Sequence, residues 1–324
     1  MFGLMPTPRS TVLEDGPARL YRFVGPNGVS PRKSAPILLV PSMINRWYVL
    51  DLGTGHSVVE ALVNEGFDTW VLDWGVPNDE DRDFSWADAI ARLDRMFRRV
   101  RRVSGHRRLS VIGYCMGATL AAIHGALHPE WYESLVDLMG PIDFEEAGMM
   151  RRFTDPSWFD AYIAEAGNVA AQQMQAAFFL LHPTQQASKW VTLADRISKL
   201  DFDYVQSFAA METWTNDYVP FPAEAYSRYI EELYQHNCLI RGTHQVDGRS
   251  VDLKHIVCPV LTVVAERDQI CPPKAATALN GAVGSTQTRV LSIPGGHVGA
   301  VVGSKARDRL YPELVTWLKE TTCN

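Results

Sequence analysis

The sequence predicts an α/β protein: a mostly parallel, doubly wound sheet with a helical cap inserted into it. Three observations predict this. Short apolar runs alternate with amphipathic helical stretches over the first 140 or so residues, the pattern of a sheet wound with crossover helices. From about 145 to 249 the rhythm changes to helical sequence rich in Trp, Phe, Tyr and Met, without convincing β alternation. Strand-like runs then return at 258–265 and 288–293, so the chain has to rejoin the sheet. The resulting division is a lead-in over 1–35, a core over 36–144 and 250–324, and a cap over 145–249.

The lead-in is rich in Pro, Gly and charge and carries one early strand at most. Residues 37–40, Ile-Leu-Leu-Val closed by Pro41, read as a buried strand. A helix follows over 57–65, with apolar residues at 58, 59, 62 and 63 and a stop at Gly66. Residues 69–73 are a second buried strand, and 86–103 an amphipathic helix with apolar positions 86, 90, 93, 97, 100 and 103. Its arginines (92, 95, 98, 99, 101 and 102) are expected to form a solvated face. Strands at 109–113 and 134–139 flank a helix of small residues over 116–127, and a helix over 307–319 closes the chain.

The chain has 324 residues, 46% hydrophobic and 21% charged, with a formal net charge of −6. That balance argues against nucleic acid as a partner, because such binding rests on neutralising phosphates. The first ten residues have no apolar core of the kind a secretory signal needs, and no apolar run is long enough for a transmembrane segment. Five cysteines (115, 238, 258, 271 and 323) are widely spaced without a CxxC pair, which speaks for free thiols and a reducing cytoplasm.

Chemistry concentrates at Gly113-Tyr-Cys115-Met-Gly117, between a predicted strand and a predicted helix. This is the G-x-S-x-G nucleophile elbow with Cys for Ser. Glycines two residues either side leave room for a strained turn that exposes the nucleophile at the helix N-terminus. The acid and histidine of such a site follow in that order, at the ends of later strands. Asp268 lies just past 258–265, and His297 just past 288–293, in Pro-Gly-Gly-His-Val-Gly. The expected triad is therefore Cys115, His297 and Asp268. Backbone N–H groups of Met116 and of a residue in 42–44, taken as Met43, complete an oxyanion hole.

Other motifs carry less. His124 and His128 are four apart on the helix after the elbow, but the sequence HGALH lacks the Glu of HExxH and a third ligand nearby. Packing histidines are expected and no metal site. Gly53-Thr-Gly55 lacks the third glycine of a dinucleotide loop and does not directly follow a strand. A cysteine nucleophile would form an acyl thioester and keep the acyl group activated, which suits transfer to a hydroxyl.

GYCMGAT, AERDQICPP, PGGHVG, NRWYVLDL and VLDWG, with the cap segment from Met211 to Tyr234, resemble the polyhydroxyalkanoate synthases of the α/β-hydrolase fold, class III catalytic subunits in particular. The resemblance spans roughly 36–320. It implies polymerisation of (R)-3-hydroxyacyl-CoA with release of CoA, with Cys115 carrying the chain, His297 activating the thiol and Asp268 assisting the incoming hydroxyl. It also implies a CoA thioester as substrate and no cofactor. A second synthase subunit, homo-oligomerisation and a cytoplasmic location at the polymer granule surface follow from the same likeness. Ala118 departs from the glycine usual in the family, and the lead-in is short. The triad alone leaves open an acyl-CoA thioesterase or polyester depolymerase on the same scaffold, and a granule-binding protein without activity.

Overall fold

The computed structural model describes residues 4–26, 32–154, 168–170, 172 and 183–322. Eight strands form one sheet: β1 (Arg9–Asp15), β2 (Ala18–Phe23), β3 (Ile37–Val40), β4 (Thr69–Asp73), β5 (Leu109–Tyr114), β6 (Tyr132–Leu138), β7 (Val260–Ala265) and β8 (Thr288–Ile293). Their spatial order is β1-β2-β4-β3-β5-β6-β7-β8. The six strands from β4 to β8 in that order run parallel, and the β1–β2 hairpin joins β4 antiparallel. Every residue of β3, β4, β5 and β7 is buried, as expected of strands covered on both faces. The outer strands are partly or largely exposed and carry charge, including Arg9, Glu14, Asp15 and Arg289, which protects free edges.

The helices α1 (Val58–Asn64), α2 (Trp86–Ser104) and α3 (Met116–Leu127) follow β3, β4 and β5 respectively. Two hydrophobic clusters lie on opposite faces of the sheet. One takes in α2 and α3, the other α1 and the C-terminal helix Tyr311–Thr322. The second helix is delimited by local chemistry. Ser85 and Asp88 form a capping box at its start, and Gly105 ends it at φ 75°. Its arginine face differs from expectation. Arg92 is buried against the sheet, 3.3 Å from Asp15 of β1, and Arg95 reaches the same carboxylate at 2.6 Å. The hairpin lays an acid over this face, so part of it is an interface.

Between β6 and β7 the described chain is mainly helical: Gly148–Phe153, Pro183–Ser198, Phe202–Asn216, Ala223–Arg228 and a π-helical turn Tyr229–Gln235. A small ladder pairs Gln245–Val246 with Arg249–Ser250, which the sequence pattern did not announce. The insert is fastened to the loop after β3. The Trp214 Nε1–H donates to the Arg46 carbonyl at 2.9 Å, and the Tyr48 hydroxyl to Asp217 Oδ2 at 2.7 Å. Phe221, Tyr229, Ile230 and Leu233 join the α2–α3 cluster. Trp158 and Phe159, in the aromatic-rich insert, lie outside the described residues. Among the described residues no helix is long and apolar enough to cross a membrane.

Candidate active site

The elbow forms because five residues agree on it. Cys115 stands at φ 54°, ψ −130°, between the end of β5 and the start of α3. A non-glycine residue is strained there by about 1–3 kcal/mol, which surrounding contacts have to offset. Its N–H donates to the Leu138 carbonyl of β6 at 3.0 Å, and its carbonyl accepts from the Ala118 N–H at 2.9 Å. A Cβ on Gly117 would stand 2.0 Å from the Val40 carbonyl oxygen, and one on Gly113 2.3 Å from Ala118 Cα. Neither position tolerates a side chain. Ala118 fills space left by Gly140, where a Cβ would meet the Ala118 methyl at 2.3 Å. The methyl group thus tightens helix against sheet without crowding the thiol.

The three triad candidates come together at the carboxyl ends of β5, β7 and β8. His297 Nδ1 and Asp268 Oδ2 are 2.7 Å apart, and both side chains are buried. Asp268 Oδ1 accepts from the Ile270 and Cys271 N–H groups, each at 2.9 Å. The carboxylate is therefore fixed by the loop that carries it, and its remaining oxygen is free to orient the imidazole. His297 Nε2 is buried with no hydrogen-bond partner among the described residues. Burial by itself lowers the imidazole pKa, but Asp268 and Cys115 outweigh it and raise it to about 10. Tyr114, immediately before Cys115, lies against His297 with ring centroids 5.3 Å apart and the rings tilted by 31°, a contact the sequence did not disclose.

Cys115 opens into a cavity of about 120 Å³ lined by Ile44, Met116, Pro141, Phe221, Tyr226, Tyr229, Ile230, Tyr234, Ile270 and Cys271 among others. The lining is largely apolar and aromatic, and more than half of it comes from the segment between β6 and β7. Burial pushes the Tyr229 and Cys271 side chains well up from their ordinary values, so both stay neutral. Met116 is the first residue of α3, where an N–H has no intrahelical acceptor. The loop after β3 is held by the Trp74 Nε1–H, which donates to the Pro41 carbonyl at 2.9 Å. Within that loop the Ile44 N–H is directed at Ser42 Oγ at 3.4 Å, and Ile44 lines the cavity. Met43 lines a separate crevice with Trp74 and Phe84.

A second buried acid escaped the sequence reading. Asp137, at the end of β6, accepts the Gly140 N–H on Oδ1 at 2.6 Å, and its Oδ2 has no partner among the described residues. Burial raises its pKa well above the carboxylate range. The signal was an acid inside the apolar run Ser-Leu-Val-Asp-Leu.

The alpha/beta hydrolase fold family model matches residues 35–304. The poly(3-hydroxyalkanoate) polymerase subunit PhaC of Allochromatium vinosum is 31% identical over 317 residues, covering 97% of this chain and 89% of that protein. The subunit of the same name from Haloferax mediterranei is 32% identical over 319 residues, and this chain spans 64% of its length. Among solved structures, a putative lipase from Sulfolobus solfataricus shares the fold, with a TM-score of 0.61 at 16% identity, covering 95% of this chain and 92% of that one. With the elbow, the sheet order and these likenesses together, the chain belongs to the poly(3-hydroxyalkanoate) polymerase family of the α/β-hydrolase fold, acyltransferases that polymerise hydroxyalkanoates.

Proposed function

We propose that this chain polymerises (R)-3-hydroxyacyl-CoA by holding the growing acyl chain as a thioester on Cys115. The observation that carries the proposal is the buried Asp268–His297 pair, with Nε2 unpartnered among the described residues beside a cysteine that opens into an apolar cavity.

His297 Nε2 takes the Cys115 proton, and the sulfur attacks the thioester carbonyl. The N–H groups of Met116 and Met43 receive the developing oxyanion. The tetrahedral adduct collapses, CoA leaves as its thiol with the proton from His297, and the acyl group remains on Cys115. The 3-hydroxyl of the next unit then attacks that thioester, with His297 again as base. The Cys115 S–C bond breaks, the thiolate recovers the proton from His297, and the lengthened chain, now a CoA thioester, reacylates Cys115 with release of CoA. Each cycle breaks a C–S bond to CoA and forms a C–O ester bond, so electrons balance and the chemistry calls for no cofactor. The aromatic lining favours this course over hydrolysis by keeping water scarce around the acyl-enzyme.

The segment 145–249 acts as a cap over this cavity on a core formed by 36–144 and 250–324, with 1–35 as lead-in. The family likeness further supports a second synthase subunit, homo-oligomerisation and a cytoplasmic location at the granule surface. The test is CoA release from 3-hydroxybutyryl-CoA with the acyl product identified by mass, with and without a candidate second subunit. Polymer formation that falls by at least about 10⁴-fold in Cys115→Ala is expected. Free 3-hydroxybutyrate without polymer would replace the synthase by a thioesterase, and full turnover by Cys115→Ala would remove Cys115 as the nucleophile.

A further inference from the structure

Two histidines and a carboxylate converge at the far end of α3 from the nucleophile. His124 and His128 are one helical turn apart, and Asp94 comes across from α2. One ligand-capable atom from each of the three lies within 4.8 Å of the other two. Nε2 of His124 and Nε2 of His128 stand 3.9 and 3.7 Å from Asp94 Oδ1. The third group that the HGALH spacing lacked is thus supplied by a neighbouring helix.

The hydrogen bonding around His124 points to a ligand. The Tyr132 hydroxyl donates its one proton to the Ala121 carbonyl at 2.9 Å, so it accepts from His124 Nδ1 at 3.0 Å. Nδ1 therefore carries the imidazole proton, and Nε2 turns a lone pair toward Asp94. His124 is completely buried, and neither its Nε2 nor Asp94 Oδ1 has a hydrogen-bond partner among the described residues. Two buried acceptors face each other with no donor between them, an arrangement that is costly without a cation. A second group fixing the tautomer is the usual support of a metal-binding imidazole. Asp94 Oδ2 accepts from Arg98 Nε at 2.7 Å, and the His128 ring stacks on Trp131 at 4.5 Å between centroids while its Nδ1 faces Glu130 at 3.9 Å.

We propose that Asp94 Oδ1, His124 Nε2 and His128 Nε2 form a site for one divalent transition-metal ion, with zinc the best chemical fit and water as fourth ligand. Two imidazoles and one carboxylate are a borderline-soft donor set that suits zinc or cobalt over magnesium or calcium. Bonds of about 2.0–2.2 Å put tetrahedral ligands roughly 3.4 Å apart, so each side chain closes in by less than about 1 Å. The site lies nine residues along α3 from Cys115, roughly 13 Å at the helical rise. It clamps α2 to the helix that carries the nucleophile and takes no part in the reaction.

The test uses the full chain after chelator treatment, with Cys115→Ser introduced so that the catalytic thiol does not compete for metal. Titration with Co²⁺ is followed by its visible absorption and by the melting temperature, with Zn²⁺ as competitor. One tightly held Co²⁺ per chain, displaced by Zn²⁺ and accompanied by a rise in melting temperature, is expected. Asp94→Asn and His128→Gln, both at partly exposed positions, should each weaken binding at least tenfold and abolish that rise. Uptake unchanged in both variants would place the ion elsewhere and overturn the proposal. Absence of stoichiometric uptake would also overturn it, leaving a proton shared between His124 and Asp94.

Discussion

Asp268 and Asp137 stand at the carboxyl ends of neighbouring strands, both buried and both near the nucleophile elbow, yet their surroundings differ in kind. Asp268 receives two backbone N–H groups on one oxygen and His297 on the other. Asp137 receives one N–H, from Gly140, and its second oxygen has no partner among the described residues. Burial with a single opposing donor raises the Asp137 pKa. Only Asp268 stands within hydrogen-bond distance of an imidazole, at 2.7 Å. Position at a strand end is shared; the supply of donors from the following loop is not.

The sharpest way to break this comparison is to make the same substitution at both places. Asp268→Asn keeps the shape but removes the charge and disturbs the imidazole tautomer, and should lower the rate of CoA release by about 10³–10⁴-fold. Asp137→Asn keeps an acceptor for the Gly140 N–H and should stay within about threefold of the parent. Steady-state CoA release from 3-hydroxybutyryl-CoA measures both. Equal losses would mean that the β6 acid shares the work.

A smaller effect sharpens the Asp268 side. The folded pKa of His297 is raised from 6.5 to about 10, with burial opposing and Asp268 and Cys115 together prevailing. A raised base contributes stability that is fully present below its unfolded pKa and is lost as pH rises through its folded one. Parent and His297→Gln should therefore differ most in urea stability at pH 6, and the gap should narrow as pH rises to 10. A gap that widens with pH would give the imidazole the opposite ionisation.

The same contrast marks what the sequence could disclose. The inner strands were legible because Ile37–Val40 is wholly apolar and Thr69–Asp73 and Val260–Ala265 nearly so, broken only by Thr69, Asp73 and Thr262, and two-sided burial demands such runs. The β1–β2 hairpin was half seen, because edge strands carry the charges, Arg9 and Glu14 among them, that obscure alternation. Cys115, Asp268 and His297 were legible from motif and order, since the elbow needs glycine at fixed offsets. Tyr114 against His297, Arg92 against Asp15 and Asp94 opposite His124 were not. Each pairs residues from different elements, and one-dimensional spacing holds no trace of which helix face meets which strand. The cap stayed coarse for the same reason: Trp190 is 55% exposed while Trp214 is buried on the β3 loop, though both read as aromatic cap positions.

The smallest effect concerns Asp137 alone, and its sign separates the two acids thermodynamically. In the folded chain its pKa lies well above 3.8, with burial as the main cause and the Gly140 N–H opposing. With the folded pKa raised, the unfolded chain gives up this proton more readily than the folded one as pH rises above about 4, which favours unfolding. Asparagine offers the same acceptor to Gly140 and has no proton to release. Asp137→Asn should therefore gain stability relative to the parent between pH 4, where the unfolded aspartate is itself about half protonated, and pH 7. Urea midpoints at the two pH values decide the matter. Should the variant instead be less stable at pH 7 than at pH 4 relative to the parent, Asp137 is ionised in the fold, and its free oxygen has a donor that sets it on a par with Asp268.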